Sequence, residues 1–289
     1  MRLSLICCLF CKTPPIELRS AGEWLLQAFQ EYAGGPLPWA AVGANAMRFT
    51  KTGKGTAAKI QRELDALGEK DITAIKLRGP DAQGPEYALF WMTSEDSASE
   101  EVEVTNSIEI VLPFPETVEQ ANEASRWLTS VAAKFPLDTG YAAPAVVATS
   151  EEAFGEVAEA IGALAQRFIG LDLAQNEWTA GSLGRLSRGA RWITFLSRSH
   201  SGQLNEIELP TPPHQLSISD FSGIRKLQTS EMPEVCDSNR QQDCQGLEWV
   251  AGYLEPITFF GDANLLEYFE DDEDALERWE TRFLGGRDK

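Results

Sequence analysis

The sequence predicts an α+β fold: a mixed, mainly antiparallel sheet, or more than one, flanked by helices. Three observations lead there. Apolar runs of strand length follow one another with Gly and Pro turns between them, as in hairpins. Stripes with helical period stand between groups of strands instead of alternating with single strands, so the rhythm of a parallel βαβ sheet is missing. A chain of 289 residues that is 43% hydrophobic can bury a sizeable core. The organisation reads as one domain over 1–289. An order of helix, strands and helix recurs in two loosely similar halves, 1–135 and 136–289.

The apolar run 3–11 is too short for a secretory leader and has no small-x-small cleavage site after it, so it reads as a first strand ended by Pro14-Pro15. Ser20-x-x-Glu23 reads as a capping box for a helix carrying Trp24, Leu25, Ala28, Phe29 and Tyr32, stopped by Gly34-Gly35. After a short strand at 47–50, Thr56 is placed to cap a helix with Ile60, Leu64 and Leu67 inward and Gly68 at its end. Strands follow at 72–77, 87–92 and 108–112. The turn 79–85 joins the first two, and the polar run 94–103 connects the second to the third.

The stretch 116–135 is a helix with Val118, Leu128, Val131 and Phe135 near one stripe. A strand at 140–148 leads to a helix boxed by Thr149 and Glu152, with Phe154, Val157, Ala158, Ile161, Leu164, Ala165 and Phe168 in one apolar stripe. Within 188–199, the run Trp192, Ile193, Thr194, Phe195 and Leu196 is apolar on both alternating faces. It reads as a mid-sheet strand around which the chain is built. A hairpin turns at Ser222-Gly223 between 216–220 and 224–228, and a helix over 243–254 ends before Pro256. The last helix reads as 263–284, with Leu265, Phe269, Leu276, Trp279 and Phe283 inward. Glu270, Asp271, Asp272, Glu273 and Asp274 crowd its middle, where self-repulsion requires open water or a cationic partner.

Charge narrows the function. The net charge is −19, with 11 basic and 7 acidic residues over 1–80 against 14 and 37 over 81–289. Such an excess repels nucleic acid, which is bound through Lys and Arg at phosphates, and attracts cationic surfaces. No run reaches the length of a membrane span. Three of the five cysteines (Cys7, Cys8, Cys11) are too crowded for a disulfide framework, and Cys236 and Cys244 complete no zinc spacing. The sequence therefore predicts thiols serving as small buried hydrophobes in a reducing, cytoplasmic setting.

The search for chemistry returns little. His200 stands among Ser197, Ser199 and Ser201, but no G-x-S-x-G elbow precedes it, and a histidine just past a strand is the better reading. The segment 51–56 lacks the order of a phosphate loop, since Gly55 separates Lys54 from Thr56. No metal-binding or cofactor-binding pattern is found. Arg185, Arg188, Arg191 and Arg198 form a basic island whose simplest role is pairing with nearby acids.

Several motifs carry a family resemblance over roughly half the chain: Gly140-Tyr141-Ala142, then Phe168-Ile169-Gly170-Leu171-Asp172, then 189–196, then Pro233-Glu234-Val235-Cys236-Asp237-Ser238-Asn239-Arg240, and Leu254-x-Pro256. In their order and spacing they resemble the type VI secretion immunity proteins of the TsiV and TsiT kind. The chain departs from that pattern at Cys236, where the family has Gly. The resemblance implies a cytoplasmic, non-catalytic antitoxin that binds a cognate type VI effector, a nuclease of the restriction-endonuclease-like class, and covers its cationic cleft. Charge density nominates two binding patches: Glu270, Asp271, Asp272, Glu273 and Asp274, and Glu95, Asp96, Glu100, Glu101 and Glu103. The competing readings are a carboxylate-dependent hydrolase, which needs convergent acids in a polar pocket, and an acidic scaffold subunit, which needs an exposed apolar patch.

Overall fold

A computed structural model describes residues 1–44, 46, 48–79, 86–148, 154–174, 176–204 and 210–284. Strand β1 (Arg2–Cys11) leads through a 3-10 turn at Pro15–Leu18 into α1 (Arg19–Tyr32), followed by β2 (Trp39–Gly43), β3 (Thr50–Lys51) and α2 (Thr56–Asp65). Strands β4 (Ile72–Arg78), β5 (Ala88–Ser94) and β6 (Asn106–Pro113) form a meander. Next come α3 (Val118–Ala132), β7 (Thr139–Val147), α4 (Phe154–Arg167) and α5 (Asn176–Thr179). Then β8 (Ile193–Ser197), α6 (Arg198–Leu204), the hairpin β9 (Ser217–Phe221) and β10 (Ile224–Gln228), α7 (Gln245–Leu254) and α8 (Glu273–Glu280) complete the chain. Among the described residues ten strands make one sheet in the order β3-β2-β4-β5-β6-β1-β7-β8-β10-β9, and every neighbouring pair is antiparallel. The α+β class follows.

The organising strand is β1 and not the 192–196 run. β1 lies between β6 and β7, with Leu5 opposite Leu112 on one side and Pro144 on the other. Its alternation feeds two cores. Leu5, Cys7, Leu9 and Cys11 meet Leu25 and Phe29 of α1 and Leu128 and Val131 of α3, while Ile6, Cys8 and Phe10 meet Tyr141, Ala143, Ala180 and Leu183. β8 is buried and paired on both edges, to β7 and β10, but stands eighth in the order. Both strands are apolar on both faces; long-range pairing, which periodicity does not encode, decides which of them is central.

Several local expectations shift. Pro15 starts a 3-10 turn that runs directly into α1, which leaves Ser20 inside the helix with no capping role. Gly55 is the N-cap of α2, and Thr56 accepts from the Gly53 amide through its Oγ1 at 2.9 Å. The 80–85 turn and the Thr149 and Glu152 box lie outside the described residues. At the C-terminus the single long helix is replaced by two pieces: a 3-10 stretch, Ala263–Phe269, and then α8. Glu270 and Asp271 adopt positive φ (54° and 60°), and Asp272 caps α8 by accepting from the Ala275 amide at 3.0 Å. Five adjacent carboxylates disfavour a helix interior, whereas a left-handed turn leads them into water and puts acids at a helix N-terminus. Cys236 and Cys244 are joined in a disulfide, correcting the expectation of free thiols there; Cys7, Cys8 and Cys11 are free and buried.

Candidate interaction surface

Most of the residues that carry the resemblance are buried, Ser238, Asn239, Arg240 and Pro256 being the exposed ones. Residues 168–172 are stitched between β7 and the 233–237 turn: the Asp172 amide donates to the Pro144 carbonyl, the Gly170 amide to Val235 and the Ile169 amide to Cys236. At Gly170 any side chain would run into the backbone of Glu234, so only hydrogen fits. Cys236 has φ of +52°, the left-handed conformation that glycine takes freely. This accounts for glycine in the family pattern, and here the disulfide to Cys244 holds the same turn.

Around this seam sits a buried charge network. Arg191 pairs with Asp172 at 2.7 Å and Arg188 with Asp262 at 2.8 Å, and all four side chains are almost wholly buried. Thr179 donates to Asp262 at 2.5 Å. Burial alone would raise the Asp172 pKa. The Arg191 and Arg188 guanidiniums and the Tyr141 hydroxyl outweigh it and hold the carboxyl below its ordinary value. Trp279 of α8 has two guanidiniums close to its ring centre, Arg191 at 5.7 Å and Arg282 at 3.9 Å. The basic island is therefore largely consumed by neighbouring acids, since Arg185 also pairs with Asp138 at 2.5 Å and Glu100 at 2.7 Å.

All ten nominated carboxylates are exposed: Glu95, Asp96, Glu100, Glu101 and Glu103 in the β5–β6 connector, and Glu270, Asp271, Asp272, Glu273 and Asp274 ahead of and within α8. The structure divides the first group. Glu95 and Asp96 sit in a 3-10 turn, Glu95–Ala98, beside the end of α2. Glu100, Glu101 and Glu103 run along the 180–187 loop, where the Gly184 amide donates to the Glu103 carbonyl and the Thr105 amide to Ala180. Glu100 is held by Arg185, whose hydrogen bonds lower its pKa, and Asp272 is engaged in capping.

Beside Glu100, Glu101 and Glu103 the chain exposes apolar side chains that charge counting missed. Trp178 is 48% exposed, and Val102, Leu186 and Phe260 are each 37% exposed. Their backbones adjoin: Ser187 bonds both Ile257 and Phe259, Asn264 donates to the Trp178 carbonyl at 3.3 Å, and Glu280 accepts from the Gly261 and Asp262 amides. Three laterally paired segments, 100–105, 176–187 and 257–264, thus form one frame that carries these four exposed apolar side chains and, on 100–105, the exposed Glu100, Glu101 and Glu103. The sequence signal was a tryptophan among small and polar neighbours, on no amphipathic stripe.

Two places bear on catalysis. An open cleft of about 320 Å³ is lined by Asp65, Glu69 and Glu95, but all three are exposed and Asp65 is engaged by Arg19. Ser197 Oγ lies 2.7 Å from His200 Nδ1, and His200 Nε2 lies 2.7 Å from the Arg185 carbonyl. The same Oγ accepts from the His200 amide at the start of α6, and His200 is only 5% exposed. The pair works as a helix cap that ties α6 to the 185 loop. Among the described residues no group of three or more side chains is placed to hold a metal ion, and no helix is long and apolar enough to cross a membrane.

The chain thus joins an antiparallel ten-stranded sheet among the described residues to a buried charge network and an acid-rich surface. A family model described as "Type VI immunity for VRR-NUC" matches residues 24–283, and the chain belongs to this family, TsiV: it is a type VI immunity protein. Among solved structures it is similar to the Pseudomonas aeruginosa T6SS protein PA0821, with a TM-score of 0.74 and 14% identity over 98% of this chain and 86% of that one; at such identity the likeness is one of fold. No curated protein matches the chain.

Proposed function

We propose that the protein neutralises a VRR-NUC type VI effector by binding it stoichiometrically and covering its cationic DNA cleft with the acidic surface, without catalysis of its own. The observation that carries this reading is the exposure of all ten carboxylates in a chain with a net charge of −19. A nuclease must present positive charge to hold phosphates, so displayed carboxylates compete for that charge and speed the encounter. The fate of the basic island supports the same reading, because Arg188 and Arg191 are taken up in buried pairs and add no positive charge to the surface.

The test is a DNA-cleavage assay with the cognate effector. The wild-type chain should abolish cleavage at equimolar ratio. Charge reversal of Glu100, Glu101 and Glu103, or of Glu270, Asp271 and Glu273, should weaken inhibition in at least one case; full inhibition by both variants would overturn the reading. One observation favours a second reading, an acidic scaffold subunit: the exposed Trp178, Val102, Leu186 and Phe260. That reading predicts large assemblies of the purified chain in sedimentation and no effect on effector activity.

A further inference from the structure

We propose that the effector docks on the frame built by 100–105, 176–187 and 257–264, with Trp178 as its central anchor, and that the matching surface is an apolar socket ringed by Lys and Arg. This rests on the reading of the chain as an effector-binding immunity protein, and goes beyond it by assigning the face.

Charge alone does not choose between the two acidic groups. Apolar exposure does. Within 262–284 no large hydrophobic side chain is exposed, so the Glu270 to Asp274 turn offers carboxylates and nothing to desolvate. The other face sets Trp178, Val102, Leu186 and Phe260 beside Glu100, Glu101 and Glu103. Interfaces take most of their affinity from a few central side chains, Trp foremost, while a charged rim excludes water and sets the approach. The carboxylates of 270–274 would then act at longer range, through steering.

The frame is also preformed. Ser187 is bonded on both sides to the 257–259 segment, Thr179 and Arg188 converge on Asp262, and Gly184 is tied to Glu103. Backbone order at this face therefore adds little to the cost of binding. The margin of carboxylates and the overall charge of −19 select the occupant: they repel a second copy of this chain and nucleic acid, and fit a cationic protein.

The experiment measures binding of the full chain to catalytically inactivated cognate VRR-NUC effector by calorimetry, with thermal melting of each variant in parallel. Trp178→Ala should weaken affinity by about 30-fold or more, the size of a hot-spot truncation, with little change in melting. Asp271→Lys should weaken it far less. Should Trp178→Ala melt well below the wild type, Phe260→Ala, from 257–264, and Leu186→Ala, from the far end of 176–187, carry the test and should each weaken binding. Wild-type affinity in Trp178→Ala, or in both replacements, overturns the docking face and leaves effector binding standing. Failure of the wild type to bind overturns the functional reading itself. A wild-type dimer that Trp178→Ala dissociates would reassign the face to self-association and also overturn the proposal.

Discussion

Asp172 shows how single residues divide between fold and function. It occupies a position that carries the family resemblance, yet it is fully buried, 2.7 Å from Arg191, with Arg188 and Tyr141 also acting on it. Replacing one partner of a buried pair strands the other charge, so Asp172→Asn should destabilise the protein by about 3–5 kcal/mol in denaturant unfolding. The sign of its pH dependence follows from its lowered pKa. Its stabilisation is complete above the ordinary Asp value, near about 4, and is lost as pH falls through the lower folded value. The gap between wild type and variant should be constant above that pH and close in more acidic buffer; a gap that widens with acidification would contradict the assignment. Pairing of the basic island was legible in the sequence because buried guanidiniums need acids and acids are plentiful. The partners were not, since Asp262 lies 74 residues from Arg188. Cys236 was legible only as a departure from glycine, whose reason is the positive φ.

At the scale of elements, the hairpin at Ser222-Gly223 and the strands of the meander lie close to where apolar runs and turn residues placed them, because both are local signals. The C-terminal helix did not survive. Its apolar spacing through Leu265, Phe269, Leu276 and Trp279 is helical on average, but the acids between them favour a turn, and Asp272 serves better as a cap than as an interior residue. Asp272→Ala should therefore cost about 1 kcal/mol of stability, as loss of an N-cap does. A neutral or stabilising effect in thermal unfolding would favour a continuous helix instead. The centrality of β1 was illegible for a different reason: 192–196 and 3–11 share one pattern, and the pairing of β1 with β6 and β7 spans the chain.

At the scale of the molecule, the proposed binding surface was half legible. Charge density located carboxylates that are all exposed, but no count of charges reveals that the segments carrying Val102, Trp178, Leu186 and Phe260 (100–105, 176–187 and 257–264) are hydrogen-bonded to one another. The field of the acid-rich surface should act on the rate of encounter before any contact forms. The most direct measurement is the association rate constant of the wild-type chain with its cognate VRR-NUC effector, followed by stopped flow from low to high ionic strength. Screening shortens the reach of the field from about 30 Å at 0.01 M to about 8 Å at physiological salt, so the rate constant should fall by at least about 10-fold over that range, and glutamine at Glu100, Glu101 and Glu103 should flatten the dependence. A rate indifferent to salt, or identical slopes for wild type and variant, would contradict it.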